Sequence, residues 1–213
     1  MGMFITFEGP EGSGKSSQIV LLASFLQQRG FSVVTTREPG GTPIGDEIRA
    51  CVHNVANTAM TPTAEMLLYS ASRAQLVGQV IRPSLAAGHI VLCDRFADST
   101  IAYQGYGRGL NLEHLHQVTH IATGGLQPDI TFLLDIDVEH GLARRTGGGL
   151  EMNRLDLEAV QFHQRVRDGY HQLAAANPAR WVVVDADRPI TAVQVDLQAT
   201  LLRRLENLRV EAG

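Results

Sequence analysis

Gly9-Pro10-Glu11-Gly12-Ser13-Gly14-Lys15-Ser16 matches the phosphate-binding pattern G-x-x-x-x-G-K-[ST] at every fixed position. Before it stands Met3-Phe4-Ile5-Thr6-Phe7, a short apolar run that predicts a buried strand. Behind it, from Lys15 to about Gln28, Ile19, Leu22, Ala23 and Leu26 recur at helical spacing. A loop wrapped round a polyphosphate must aim several backbone N–H groups inward, which needs glycine conformations and close approach. The helix start behind it adds unpaired donors and a partial positive charge. In such a loop Lys15 reaches the β- and γ-phosphates, and the Ser16 hydroxyl suits Mg²⁺.

Outward from this loop, strands and helices alternate. Strands are predicted at Phe31–Thr36, His89–Cys93, Ile130–Ile136 and Trp181–Asp185. Helices are predicted at Ile44–His53, Thr63–Ala86, Asn111–Thr123, Val138–Arg145, from Leu155 onward, and at Ile190–Leu208. In the longest, Leu67, Leu68, Ala71, Leu76, Val80 and Ile81 are the expected buried positions, and Tyr69 and Arg73 share a face. Thr146-Gly147-Gly148-Gly149 suits no regular element and reads as a flexible excursion. The alternation predicts an α/β fold of the P-loop NTPase kind. It has a five-stranded parallel sheet, helices on both faces, and a mobile lid at about residues 142–156 within a single domain, 1–213. Ligands of such sheets bind beyond the carboxyl ends of the strands, where the P-loop, Arg37, Asp94 and Arg95 all fall.

Composition narrows the function. With 213 residues and 44% apolar content, the chain can bury a sizeable core. A net charge of −4 gives no basic surface for nucleic acid, and no apolar run approaches a membrane span. Cys51 and Cys93 are far apart and the chain opens with no secretory signal, so a cytoplasmic setting is expected. His116 and His120 lie four apart with His114 nearby, but they lack the further ligands of a structural zinc site and read as a polar helix face.

A P-loop alone does not separate kinase, GTPase and motor. The guanine-reading N-K-x-D is missing, and Arg37 and Arg95, closing two different strands, suit an acceptor that already carries a phosphate. A regulatory nucleotide switch would leave those two arginines without a task. Phe7-Glu8-Gly9, Arg37-Glu38-Pro39-Gly40-Gly41-Thr42, Tyr69-Ser70-Ala71-Ser72-Arg73, Asp94-Arg95-Phe96, Ala102-Tyr103-Gln104-Gly105-Tyr106-Gly107-Arg108-Gly109 and Arg165-Val166-Arg167-Asp168-Gly169-Tyr170 resemble, in order, the blocks of the thymidylate kinase family. Another nucleoside monophosphate kinase is the alternative within this class.

The resemblance implies transfer of the γ-phosphate of ATP to dTMP, with Mg²⁺ as cofactor and a homodimer as the assembly. It implies that Arg37 and Arg95 hold the dTMP phosphate, and that Tyr69 stacks on thymine where the family usually has Phe. Arg73 and Gln104 then stand at the base edge, Glu11 at the sugar 3′-hydroxyl, and Asp94 near the metal. No arginine stands inside this P-loop, so the resemblance is to members whose lid supplies the basic residues. Arg145 or Arg154, with Arg144 as a third, are the candidates to reach the phosphates.

Overall fold

The computed structural model describes residues 2–147 and 152–211, with side chains through 206. Strands β1 (Met3–Glu8), β2 (Val33–Arg37), β3 (Ile90–Asp94), β4 (Ile130–Asp135) and β5 (Trp181–Asp185) form one sheet in the order β2-β3-β1-β4-β5, every pair parallel. Every residue of β1 is buried, as a central strand covered on both faces requires. From β1 the chain first builds β2 and β3 on one side, then crosses to β4 and β5 on the other. The point where the direction reverses lies at the carboxyl end of β1, and the P-loop leaves the sheet there.

Helices α1 (Lys15–Gln27), α2 (Pro43–His53), α3 (Pro62–Leu76), α4 (Arg82–Ala86), α5 (Ala97–Thr100), α6 (Leu112–Thr123), α7 (Val138–Gly147), α8 (Val160–Ala176) and α9 (Ile190–Glu211) cover the faces. Their starts follow from capping chemistry. Thr42, Thr61 and Asn111 accept at their side-chain oxygens from the backbone N–H groups of Gly45, Ala64 and His114, and proline opens α2 and α3. The predicted helix over 63–86 is one continuous run, with a π-helical stretch at Val77–Ile81 just before Pro83, which has no N–H to return to the preceding turn. One side of the sheet is sealed by Leu22, Leu26 and Leu197 packed on Ile5, Phe7 and Phe132.

Several expectations are corrected. Leu67 is 51% exposed and Ala71 is exposed too; α3 instead buries Met66, Tyr69, Arg73 and Leu76. Residues 97–107, assigned to no element from sequence, are helical throughout, the stretch Ile101–Gly107 being π-helical. Two glycines argue against a helix there by propensity, yet packing demands them. A Cβ at Gly105 would stand 2.6 Å from Leu112 Cδ2, and one at Gly107 would stand 2.7 Å from Phe162 Cε2. The helix expected from Leu155 begins at Val160. Asn153 Oδ1 accepts from the N–H groups of Leu155 and Asp156, and this side-chain turn displaces the helix. Thr146 and Gly147 are helical, with Thr146 Oγ1 donating to Leu142 O at 3.0 Å. Gly148 and Gly149, and with them part of the expected lid, lie outside the described residues. His114, His116 and His120 sit exposed on α6, a polar face as expected.

Candidate active site

The site is built where β1 and β3 end. Gly14 caps α1 with φ 85° and no side chain serves the first turn, so its N–H groups stay available to an anion. Lys15, only 7% exposed, donates from Nζ to Gly9 O (3.1 Å), Pro10 O (2.8 Å) and Ser13 Oγ (3.0 Å). Burial, with Arg95 beside it, brings its pKa down to about 8 against the pull of Glu11, Asp94 and Glu8. Ser16 Oγ donates to Asp94 Oδ2 at 2.6 Å, joining two residues 78 positions apart.

Arg95 has φ 66°, the sole positive value at a non-glycine among the described residues, and the turn aims its side chain back across the P-loop. Its Nη1 donates to Gly9 O (3.1 Å) and Tyr170 Oη (3.1 Å), and its Nη2 to Glu11 Oε1 (3.0 Å). Tyr103 Oη donates to the same Glu11 oxygen at 2.8 Å. Burial alone would raise the Glu11 carboxyl, but Arg95, Lys15 and Tyr103 outweigh it and bring the pKa to about 2. Glu11 is therefore a fixed anion with lone pairs still available to a hydroxyl donor. Behind this pair lies Glu8, to which no role is assigned from sequence. Phe96 N (2.8 Å), Ser99 Oγ (2.6 Å) and Tyr170 Oη (2.8 Å) all donate to it, so it orients the groups that orient Arg95. Burial, then Asp98, pushes its pKa upward. A charged residue closing a buried, mostly apolar strand was the sequence signal for it.

A cavity of about 490 Å³ opens in front of these groups, lined by Gly12–Ser16, Glu11, Asp94 and Arg95 on one side and Arg37, Tyr69, Arg73 and Gln104 on the other. Gly9 and Pro10, also expected at the nucleotide, are buried behind the lining, with their carbonyls turned to Lys15. Arg37 is half exposed and pairs with Asp46 at 3.1 Å. Arg49 donates to Pro39 O at 2.9 Å and lines the same cavity, as does His53, whose pKa falls to about 4 through burial and then Arg49. Neither was read from sequence; Arg49 sits on an ordinary amphipathic helix and carries no motif.

Arg73 is 1% exposed. Its Nε (2.9 Å) and Nη2 (2.6 Å) donate to Glu38 Oε2, Nη2 also to Phe96 O (3.0 Å) and Nη1 to Thr100 Oγ1 (3.0 Å). A guanidinium has five N–H donors, so one remains for the cavity. Gln104 Nε2 donates to Glu65 Oε1 at 2.7 Å.

The three lid arginines separate. Arg144 lines the cavity and donates to Ala186 O (3.0 Å) and Asp187 Oδ1 (2.7 Å). Arg145 lines it too, held by Asp156 Oδ2 at 2.9 and 3.2 Å. Arg154 is not among the described lining residues. Its Nε donates to Val52 O (3.2 Å) and its Nη2 to Glu65 Oε2. Of the two arginines first expected at the phosphates, the cavity keeps Arg145.

A family model described as "Thymidylate kinase" matches residues 7–197. A protein named thymidylate kinase from Roseiflexus sp. (strain RS-1) is 55% identical over 210 residues, covering 93% of each chain. One of the same name from Geotalea uraniireducens (strain Rf4) is 50% identical over 210 residues, covering 96% of this chain and 99% of its own. The crystal structure of thymidylate kinase from Ehrlichia chaffeensis superposes with a TM-score of 0.78 at 35% identity, covering 94% of this chain and 98% of that one.

Proposed function

The chain belongs to the thymidylate kinase family, and on that premise we propose that its cavity passes the γ-phosphate of ATP to dTMP as a single catalytic unit. The observation that carries the assignment of residues is the Ser16–Asp94 hydrogen bond, which brings the P-loop hydroxyl and the acid of β3 to one point. Hard oxygen donors of this kind suit Mg²⁺, which takes one or two protein ligands beside substrate phosphates. Ser16 and Asp94 would hold it, and when bound it neutralises charge between the β- and γ-phosphates.

The remaining work belongs to the chain's own groups. The α1 N-terminus and the loop from Gly9 to Gly14 cradle the polyphosphate. Lys15 exchanges its loop carbonyls for phosphate oxygens. Arg95, pinned by Glu11 and Tyr170, and Arg37 hold the acceptor phosphate in line. Tyr69 supplies a flat face for the base, while Gln104 and the remaining N–H of Arg73 meet its edge. Glu11 accepts from the sugar hydroxyl. Arg145 places charge beside the transferred group, with Arg144 next to it.

Asp94→Asn tests the assignment. The Mg²⁺ concentration for half-maximal turnover should rise about 10–100-fold, the range seen when metal-site partners are lost, while the KM for dTMP moves little. An unchanged Mg²⁺ requirement would remove Asp94 and Ser16 from the metal.

A second copy of the chain is the expected partner. α3 packs against α6, and between them they leave Leu67 51% and Ile121 78% exposed. Sedimentation of the purified protein should give twice the 23.1 kDa chain mass; a sharp 23.1 kDa species would refute the dimer. No helix among the described residues is long and apolar enough to cross a membrane, and the free thiols of Cys51 and Cys93 fit a cytoplasmic setting.

A further inference from the structure

Glu65 opens α3 as an acidic residue of its first turn, where a solvated carboxylate would be ordinary. Instead it is 1% exposed. Three residues from two distant parts of the chain converge on it. Gln104 Nε2 donates at 2.7 Å, Arg108 donates from Nε at 3.3 Å and Nη2 at 3.2 Å, and Arg154 donates from Nη2. Burial would raise this carboxyl, yet the donated bonds hold it below the usual range, so it is an anion.

The three donors have different employers. Gln104 lines the base end of the cavity. Arg154 begins the turn 154–157 that returns from the lid segment to α8. Arg108 makes a second tie to the same region, pairing with Glu158 at 2.6 Å. Two residues beyond Arg154, Asp156 holds Arg145, which lines the same cavity as the P-loop. Hydrogen bonds therefore run from Gln104 through Glu65 to Arg154, the main chain of the turn carries the path over two residues to Asp156, and a further pair of bonds joins Asp156 to Arg145.

We propose that Glu65 is a positioning residue that couples the acceptor-base pocket to the lid arginine, so that dTMP binding favours ATP binding. This rests on the reading that Gln104 meets the base and Arg145 the donor phosphates. A carboxylate shared by several donors fixes each of them by the position of the others. A base that immobilises the Gln104 amide therefore narrows the freedom of Glu65, Arg154 and the turn carrying Asp156. ATP then finds Arg145 already placed, and the ordering is not required a second time. By linkage, ATP must tighten dTMP by the same factor.

The test is calorimetric titration with Mg²⁺ and the non-hydrolysable analogue adenylyl imidodiphosphate, with and without saturating dTMP. In the parent protein dTMP should tighten the analogue by about tenfold, within the common range of coupling between sites. In Glu65→Gln and in Arg154→Ala the factor should fall below about twofold, at unchanged melting temperature for Arg154→Ala. Arg154→Ala strands no charge, since Glu65 keeps Arg108 and Gln104, and so it carries the test if Glu65→Gln fails to fold. A parent protein without coupling, or an Arg154→Ala variant that keeps the parent factor, overturns the proposal. Two controls examine the underlying reading separately: Gln104→Ala should weaken dTMP, and Arg145→Ala should lower turnover. If both controls behave as stated while Arg154→Ala keeps its coupling, only the role of Glu65 is lost.

Discussion

Lys15→Ala should leave a folded protein whose turnover falls by about a thousandfold, the scale of losing one preorganised charge from a transferring group. Lys15 is the sole lysine of the sequence, and its three present acceptors are all P-loop atoms. Its removal costs the fold little, because burying the ammonium is itself unfavourable. The pKa of about 8 lies below the 10.5 of an exposed lysine. The native state therefore binds fewer protons than the unfolded chain between those values, and this residue's contribution to stability rises with pH across that window. The same shift gives a second readout. Burial lowers the Lys15 pKa, and a bound polyphosphate, which favours the charged ammonium, raises it again and draws protons on. Calorimetry in buffers of different ionisation enthalpy should show proton uptake on nucleotide binding at pH 8, and none in Lys15→Ala. Near-parent turnover in the variant, measured by coupled ADP release, would remove Lys15 from the chemistry.

Arg73→Ala should be the most destabilising single change in the site, by about 3–5 kcal/mol, the cost of stranding one partner of a buried ion pair. In a chain of this length that is a fall in melting temperature of roughly 10 °C. Glu38 is buried as deeply as Arg73, and burial already pushes its carboxyl upward with only Arg73 pulling it down. The double variant Glu38→Leu/Arg73→Leu should recover much of the loss, since apolar side chains of similar size replace such pairs at little cost. It should not recover discrimination between dTMP and dCMP, because the Arg73 N–H left over from Glu38, Thr100 and Phe96 is gone. Thermal denaturation and acceptor kinetics separate the two roles. A double variant that is stable and fully selective would make Arg73 purely structural.

What the sequence disclosed follows from range. Every strand was legible, because each is a β-branched or apolar run closed by polar or turn residues, and the P-loop motif was legible by itself. Asp94 and Arg95 were legible because they end a strand, and strand ends in such a sheet face one crevice. Residues 97–107 were not, since their two glycines argue against a helix until Leu112 and Phe162 are packed against them. Arg154 was a candidate because the P-loop carries no arginine, and its bond to Glu65, 89 positions earlier, was not legible. Arg73 reads from sequence only as a base reader, and its deep pairing with Glu38 was missed because that contact spans 35 positions. Glu8 and Glu65 were passed over for the same reason: a buried carboxylate acquires its meaning from partners that only the fold assembles.

The sheet order also bears on how the protein is made. β1 lies in the middle of the sheet, yet both of its neighbours, β3 and β4, come much later in the chain. At about 5–20 residues per second, the roughly 80 residues between β1 and β3 take on the order of 4–16 s to synthesise. Throughout that interval Met3-Phe4-Ile5-Thr6-Phe7 has no strand to pair with, although it is the most deeply buried segment of the finished sheet. The segment on which the catalytic loop hangs is thus left waiting on the ribosome, within reach of any chaperone that grips short apolar stretches.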